Sequence, residues 1–185
     1  MKYSFLKYAT AILAIIILVS GCKKEKGESN EEELITTVAL TFTPAGGGPS
    51  QVFEYVDSDG PGGLPPTIDG ITLSPATSYD VSISFRNDIA GEDITEEIEE
   101  ETESHRIYYL PSPGNNITID DLDNDVDGNP LGLHSVWTTT SAFEGHVVIV
   151  LRHYAGNPPN KAAGDPVDSP KSSTDAEVVF PVSVQ

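Results

Sequence analysis

Short apolar segments separated by turn residues constrain the fold of this chain more than any other feature. Apolar residues alternate with polar ones, as in Val81, Ile83 and Phe85, which places them on one face of a strand. Clusters of Gly, Pro and Asp interrupt the pattern, for example at 44–49 and 57–63. The predicted strands are 34–42, 52–56, 68–73, 79–85, 107–110, 116–119, 131–139, 146–151 and 177–184. Eight or nine such strands predict a mainly β fold, a single antiparallel β-sandwich of the Ig-like kind.

One helix is predicted within this series of strands. Asp93 can cap the first turn of a helix over 93–104, and the acidic residues near that end suit the helix dipole. Ile94 and Ile98 lie one turn apart, so the apolar stripe is narrow and the helix should be short and lie on the domain surface. Strands and helices do not alternate, which argues against a parallel α/β fold. Residues 34–185 are therefore expected to form one β-sandwich domain.

The amino terminus has the features of an export signal. Lys2 and Lys7 precede an apolar run over 9–19, and Ser20-Gly21-Cys22 follows, an order that resembles a bacterial lipobox. A transmembrane anchor is the alternative, but it needs about 20 apolar residues. We therefore expect a lipoprotein signal peptide over 1–21, lipidation of Cys22 and membrane attachment through its lipid. The polar residues 22–33 should form a disordered tether.

Cysteine usage and charge exclude several classes of function. Cys22 is the single cysteine of the chain, so its lipidation leaves no thiol for disulfides, thiolate metal sites or nucleophilic catalysis. The chain has 29 acidic and 10 basic residues, a formal net charge of −19. A protein this acidic repels nucleic acid and attracts cations or basic partners. No nucleic-acid binding is therefore expected.

Histidine and glutamate side chains are the candidate metal ligands. His105 follows Glu101 by four residues, which would place both on one face if the helix extended that far. A transition metal such as zinc or copper needs at least one further ligand, and His153 is the one we predict. Glu101, His105 and His153 form the predicted metal site, with a divalent transition metal as the cofactor that they would hold.

The position of the remaining histidines depends on strand pairing. Residues 131–153 are expected to form a hairpin in which Trp137 lies opposite Ile149. That register buries the tryptophan and places His134 on the other face from His153. A half-residue shift of the turn would instead make His134 and His153 partners.

Asp123, Asp125 and Asp127, followed by Gly128, match the first half of an EF-hand calcium loop. The twelfth position should be a bidentate glutamate but is His134, and the flanking segments are predicted strands. A strand-connecting turn, which Asp and Gly favour, explains the motif better than a calcium site.

None of the catalytic motifs sought in the sequence is found: it has no Gly-x-Ser-x-Gly elbow, no His-Glu-x-x-His and no phosphate-binding glycine loop. The glutamates of the predicted helix are accounted for by a solvated face. The sequence therefore predicts a binding protein rather than an enzyme.

Several segments resemble a group of small, uncharacterised Bacteroidota-type outer-membrane lipoproteins, often labelled as type 1 periplasmic-binding-fold proteins. The segments that carry the resemblance are 22–24, 31–38, 90–101 with His105, 127–133 and 151–153. The resemblance implies a lipid anchor in the outer membrane, with the domain in the periplasm or on the surface, and an accessory role beside a TonB-dependent receptor. The alternative function, based on the histidines, is capture or delivery of zinc or copper.

Overall fold

The computed structural model describes residues 33–185, and within them it contains two β-sheets and one helix. The predicted β-sandwich with one short helix is confirmed. Residues 1–32, with the predicted signal peptide, Cys22 and most of the predicted tether, lie outside the described residues. The strands are β1 (Thr37–Pro44), β2 (Gln51–Val56), β3 (Thr67–Ile68), β4 (Ile71–Leu73), β5 (Ser78–Asn87), β6 (Glu92–Asp93), β7 (His105–Pro111), β8 (Ile117–Asp120), β9 (His134–Thr139), β10 (Phe143–His153) and β11 (Ser173–Val184), and the helix is α1 (Ile94–Glu100).

The large sheet has the strand order β3-β2-β1-β5-β9-β8, with β6 paired to β5 at one end. All of its strand pairs are antiparallel. In the central pair, Leu40 lies opposite Ile83 and Val38 opposite Phe85, which are buried residues. The alternation in the sequence therefore predicted the inward faces of both strands.

The small sheet has the order β4-β11-β10-β7, and its β4–β11 pair is parallel rather than antiparallel. The predicted single strand over 68–73 is two strands that belong to different sheets. β3 ends at Ile68 in the large sheet, and β4 begins at Ile71 in the small one, with Asp69-Gly70 between them. The chain enters the small sheet by this crossing, which sets the direction of β4 along β11.

The single tryptophan lies in the core between the sheets. Trp137 of the large sheet is fully buried, and the Tyr109 ring of the small sheet meets it edge-on at 5.7 Å between ring centroids. Phe42 packs edge-on against the same indole at 5.1 Å. Such edge-to-face pairs add stabilisation to the burial of apolar area.

The predicted hairpin over 131–153 is wrong. β9 pairs with β5 and β8 in the large sheet, whereas β10 pairs with β7 and β11 in the small sheet. Trp137 and Ile149 are both buried, but they lie in different sheets and are not paired. The two registers considered for His134 and His153 therefore both fail, since these residues lie in different sheets.

Helix α1 is held against β5 by its first turn. The Asp93 carboxylate accepts a hydrogen bond from the Thr95 amide at 3.0 Å, as predicted for the N-cap. The Thr95 hydroxyl accepts from the Phe85 amide at 2.9 Å and donates to the Phe85 carbonyl at 3.1 Å. The helix ends at Glu100 instead of residue 104, because turns lead directly into β7. Within 33–185, no helix is long and apolar enough to cross a membrane.

Candidate metal site

Two histidines lie side by side at one end of the small sheet. His105 begins β7 and His153 ends β10, and the antiparallel register places them directly opposite each other. Their rings stack with centroids 4.9 Å apart and planes 15° from parallel. Opposite residues in antiparallel strands point to the same face of the sheet, so both rings share one environment.

A β-bulge in the neighbouring strand brings a carboxylate to this pair. Leu151 of β10 lies opposite Ala176, but Arg152 lies opposite Thr174, so Asp175 is the extra residue of β11. Bulges change the direction of a side chain and are common beside functional sites. Donor atoms of His105, His153 and Asp175 all lie within 4.8 Å of one another.

The orientation of the His105 ring is fixed by the chain that precedes it. Its Nδ1 lies 3.1 Å from the Glu101 carbonyl oxygen, which can only accept, so Nδ1 carries the proton and Nε2 keeps its lone pair. His105 is 2% exposed. Burial lowers the pKa of His105 to about 4, and the nearby His153 lowers it further, although the hydrogen bond to Glu101 acts in the opposite direction. The imidazole is therefore neutral at pH 7, the form that binds metals.

Glu101 contributes its backbone rather than its carboxylate to this arrangement. It caps the carboxyl end of α1, its side chain is exposed, and its carbonyl orients His105. The two residues do not share a helical face, since His105 is already in β7. Hydrogen bonds of this kind orient metal-binding imidazoles in known sites.

The backbone of His105 is fixed by a buried lysine. The Lys161 ammonium donates to the carbonyl oxygens of His105 at 2.7 Å and Thr102 at 2.6 Å. It also forms an ion pair with the Asp125 carboxylate at 2.9 Å, and both side chains are almost completely buried. The ammonium therefore has two carbonyl acceptors and a carboxylate that balances its charge.

Two of the three predicted calcium residues use their carboxylates within their own loop or on this lysine, whereas Asp127 is exposed. The Asp123 carboxylate accepts from the amides of Gly132 and His134. Asp125 accepts from the amides of Asp127 and Asn129 through one oxygen and binds Lys161 through the other. This is the geometry of a strand-connecting turn, in which the carboxylates of Asp123 and Asp125 face backbone amides and an ammonium.

Two further carboxylates, Glu33 and Glu97, lie close to Asp175 or His105. Glu33, which the sequence places at the end of the tether, is half-buried in the described domain. Its burial, followed by the charges of Glu97 and Asp175, raises the pKa of Glu33 to about 7. Glu97 on α1 also acts electrostatically on His105. Glu97 and Asp175 therefore lie near the histidine pair, and Glu33 lies near both of these carboxylates.

This donor set suits a divalent transition metal. Zinc is commonly bound by imidazole nitrogens and carboxylate oxygens at about 2.0–2.2 Å. A set of two histidines and one carboxylate occurs in known zinc sites with an open fourth position. The ligands of a tetrahedral ion at these lengths lie roughly 3.3 Å apart, so binding would draw the three side chains together from their 4.8 Å spread.

The other candidate ligands lie elsewhere. His134 and His146 are exposed, and within residues 33–185 a single group of three or more metal-binding side chains is present, that of His105, His153 and Asp175. Cys22 lies outside the described residues.

Sequence reasoning found the two histidines but missed Asp175 and Lys161. Asp175 becomes a neighbour of His153 through a bulge, which no periodicity indicates. Lys161 lies in a long loop without a strand or helix pattern. The one available signal for Lys161 was the small number of basic residues among so many acidic ones.

No protein-family model matches the chain, and no curated protein and no solved structure is significantly similar to it.

Proposed function

We propose that this protein binds a divalent transition metal, with zinc as the best fit, at His105, His153 and Asp175. The observation that supports the proposal is the convergence of these donors from three adjacent strands at one end of the small sheet. The neutral His105, whose proton is on Nδ1, offers Nε2 to the metal.

The chemistry of the donors favours zinc over monovalent copper. Cu(I) prefers thiolate and thioether ligands. The chain has one cysteine and one methionine, Cys22 and Met1, and both precede the described residues. Two imidazoles and a carboxylate match the borderline preference of a divalent ion.

The position of the site at a lipid-anchored envelope would suit capture or delivery of the metal. Attachment through Cys22 is part of this proposal and is supported by the lipobox-like sequence. The net charge of −19 would raise the local concentration of cations near the domain.

Zinc binding by the metal-free protein tests the proposal. The full-length chain, purified in detergent and stripped with EDTA, should bind one zinc per chain with a Kd of about 1 μM or below in competition with a chromogenic chelator. At a free zinc concentration 100 times Kd, binding stabilises the fold by about 2.7 kcal/mol, which raises the Tm.

Asp175→Asn is the informative variant because it keeps the side-chain shape while removing the charge of the carboxylate. We expect its zinc affinity to fall at least tenfold, and His146→Ala, an exposed histidine on β10, to bind as the wild type does. Absence of stoichiometric zinc from the wild-type protein, or equal affinity in Asp175→Asn, would overturn the proposal.

A further inference from the structure

Strand β11 has one edge that is open over most of its length. It pairs with β10 along its full length, but on its other side β4 pairs only with residues 182–184. Within residues 33–185, no further strand pairs with that side of β11. An open strand edge presents unpaired amides and carbonyls, which can pair with another extended chain.

The strand register shows which backbone groups face the open edge. His146 turns its carbonyl towards β7, where it accepts from the Ser112 amide at 2.8 Å. Pro181 lies opposite His146, so its own backbone points away from β10. Because this direction alternates along a strand, the amides and carbonyls of Glu177 and Val179 also point to the open edge. Both residues are exposed. Pro181 has no amide hydrogen, so it ends the row of donors and keeps the open edge short.

A groove of about 460 Å³ lies between this part of β11 and the loop that joins β2 to β3. Its apolar lining includes Tyr55 and Val178 from the sheets and 64–66, a leucine and two prolines, from the loop. Leu64 is 76% exposed, so its apolar surface is available to a ligand. A strand edge beside side-chain pockets is the arrangement used in β-strand addition, where main-chain hydrogen bonds give affinity and the pockets give specificity.

The charge of this groove selects the kind of chain that can enter it. Its charged lining residues are Asp57, Asp175 and Glu177, and no lysine or arginine of the described chain lines it. The Oδ1 atom of Asp57 is buried and has no hydrogen-bond partner within residues 33–185. A basic side chain would offer the missing donor and would balance the carboxylates. A second copy of this protein would instead bring the same carboxylates and a net charge of −19, so two copies repel each other.

We propose that the open edge of β11 binds an extended, basic segment of a partner protein by strand addition, with main-chain hydrogen bonds to Glu177 and Val179. Residues opposite each other on neighbouring strands share a face, so basic residues of the segment lie beside Glu177 and the alternate, apolar residues face the groove. This interaction goes beyond metal binding and does not require the metal.

A peptide of alternating lysine and valine, six residues long and capped at both ends, tests the proposal. Titrated with the metal-free, full-length chain in detergent and followed by fluorescence anisotropy, it should bind saturably, and a version with glutamate in place of lysine should not. Two further versions carry N-methyl groups either on the three lysines or on the three valines, which keeps every charge. Since only one of these sets of amides faces β11 in an added strand, one version should bind about tenfold more weakly. Equal binding of both N-methylated versions and the parent peptide would overturn the proposal.

Val179→Pro removes one donor from the open edge, and Val179→Ala is the matched control because it shortens the same side chain but keeps the amide hydrogen. Pro181 has the same backbone direction, so a proline is compatible with this side of the strand. We expect Val179→Pro to bind the peptide about tenfold more weakly than Val179→Ala does. Both variants should keep the Tm and the zinc affinity of the wild type within a small margin. Equal peptide affinities in the two variants would contradict strand addition at this edge.

Sedimentation of the same proteins distinguishes a partner segment from a second copy. A wild-type dimer that dissociates on Val179→Pro would assign the edge to self-association and would overturn the proposal. Peptide binding is measured without metal, so its failure leaves the zinc site untouched, and a protein that takes up no zinc can still bind the peptide.

Discussion

Lys161 shows how a single side chain can join three separate parts of the chain. Its ammonium binds the turn after α1 through Thr102, the start of β7 through His105, and the loop before β9 through Asp125. An ion pair buried to this degree is costly to desolvate, but removing one member is costlier because the other is left charged and unpaired. The pair therefore fixes the local geometry more than it stabilises the domain.

Lys161→Met should lower the free energy of unfolding by about 3–5 kcal/mol, since Asp125 and two carbonyl oxygens lose their donor. Urea denaturation followed by the fluorescence of Trp137 measures the change. The matched control is Lys171→Met, which breaks a more exposed ion pair with Asp165 and should cost about 1 kcal/mol or less. Similar losses in the two variants would contradict the structural role of Lys161.

Asp125 gives this pair a pH dependence with a definite sign. Burial opposes ionisation, but the Lys161 ammonium and the amides of Asn129 and Asp127 hold the pKa of Asp125 below its usual value of 3.8. A carboxyl whose folded-state pKa is lowered contributes stability above its unfolded-state pKa and loses it as pH falls through the folded-state value. The loss therefore occurs below about pH 4.

At pH 7, Asp125→Asn should have a lower free energy of unfolding than the wild type. Between about pH 4 and pH 2, the free energy of unfolding should fall less in the variant than in the wild type. Urea denaturation at a series of pH values measures how the free energy of unfolding of each protein depends on pH. Parallel acid profiles for the two proteins would show that Asp125 does not titrate with a lowered pKa.

At the scale of the element, the loop over 154–172 is held in place by the few basic residues of the domain. Arg106 donates to the carbonyls of Ala162, Ala163 and Asp165, and its guanidinium lies 4.3 Å from the Tyr108 ring centroid. Lys161 and Lys171 lie within the loop, and Arg152 donates to its Ser169 carbonyl. Four of the five basic residues in the described chain therefore lie in this loop or bind it. Few basic side chains remain to balance the acidic residues on the rest of the surface.

The elements were predictable to different degrees from the sequence. Alternation correctly marked the buried faces of β1 and β5, because one residue in two must face the core. It could not identify strand partners: Trp137 and Ile149 fit a hairpin and a sandwich equally well, since inward faces of two opposed sheets alternate in the same way. The crossing between sheets at Asp69-Gly70 was missed because alternation does not show to which sheet a strand belongs.

The candidate site was predictable only where sequence spacing carried the information. His105 and His153 could be chosen as ligands by residue type, but their direct opposition depends on the β7–β10 pairing. The third donor depends on the bulge at Asp175. Each of these is a long-range contact that local patterns do not encode.

On the scale of the whole molecule, the proposed metal site lies in a domain whose amino-terminal entry is close to the site itself. Cys22→Ser should shift the protein from the membrane fraction to the soluble fraction of lysed cells, because the thioether-linked lipid cannot form. Its zinc affinity should stay the same, since Cys22 is not a ligand of the proposed site. A variant that stays with the membrane would contradict lipid anchoring through this residue.

The strand order of the small sheet also has a consequence for the order in which the strands can pair. β11, the last of the described strands, lies between β10 and β4 and carries the buried residues Val178, Phe180 and Val182. β4 has no other partner in that sheet. Residues 71–73 can therefore pair with β11 only after more than 100 further residues have been synthesised. The small sheet can therefore be completed only after β11 has been synthesised, whereas the central pair of the large sheet, β1 and β5, is available much earlier.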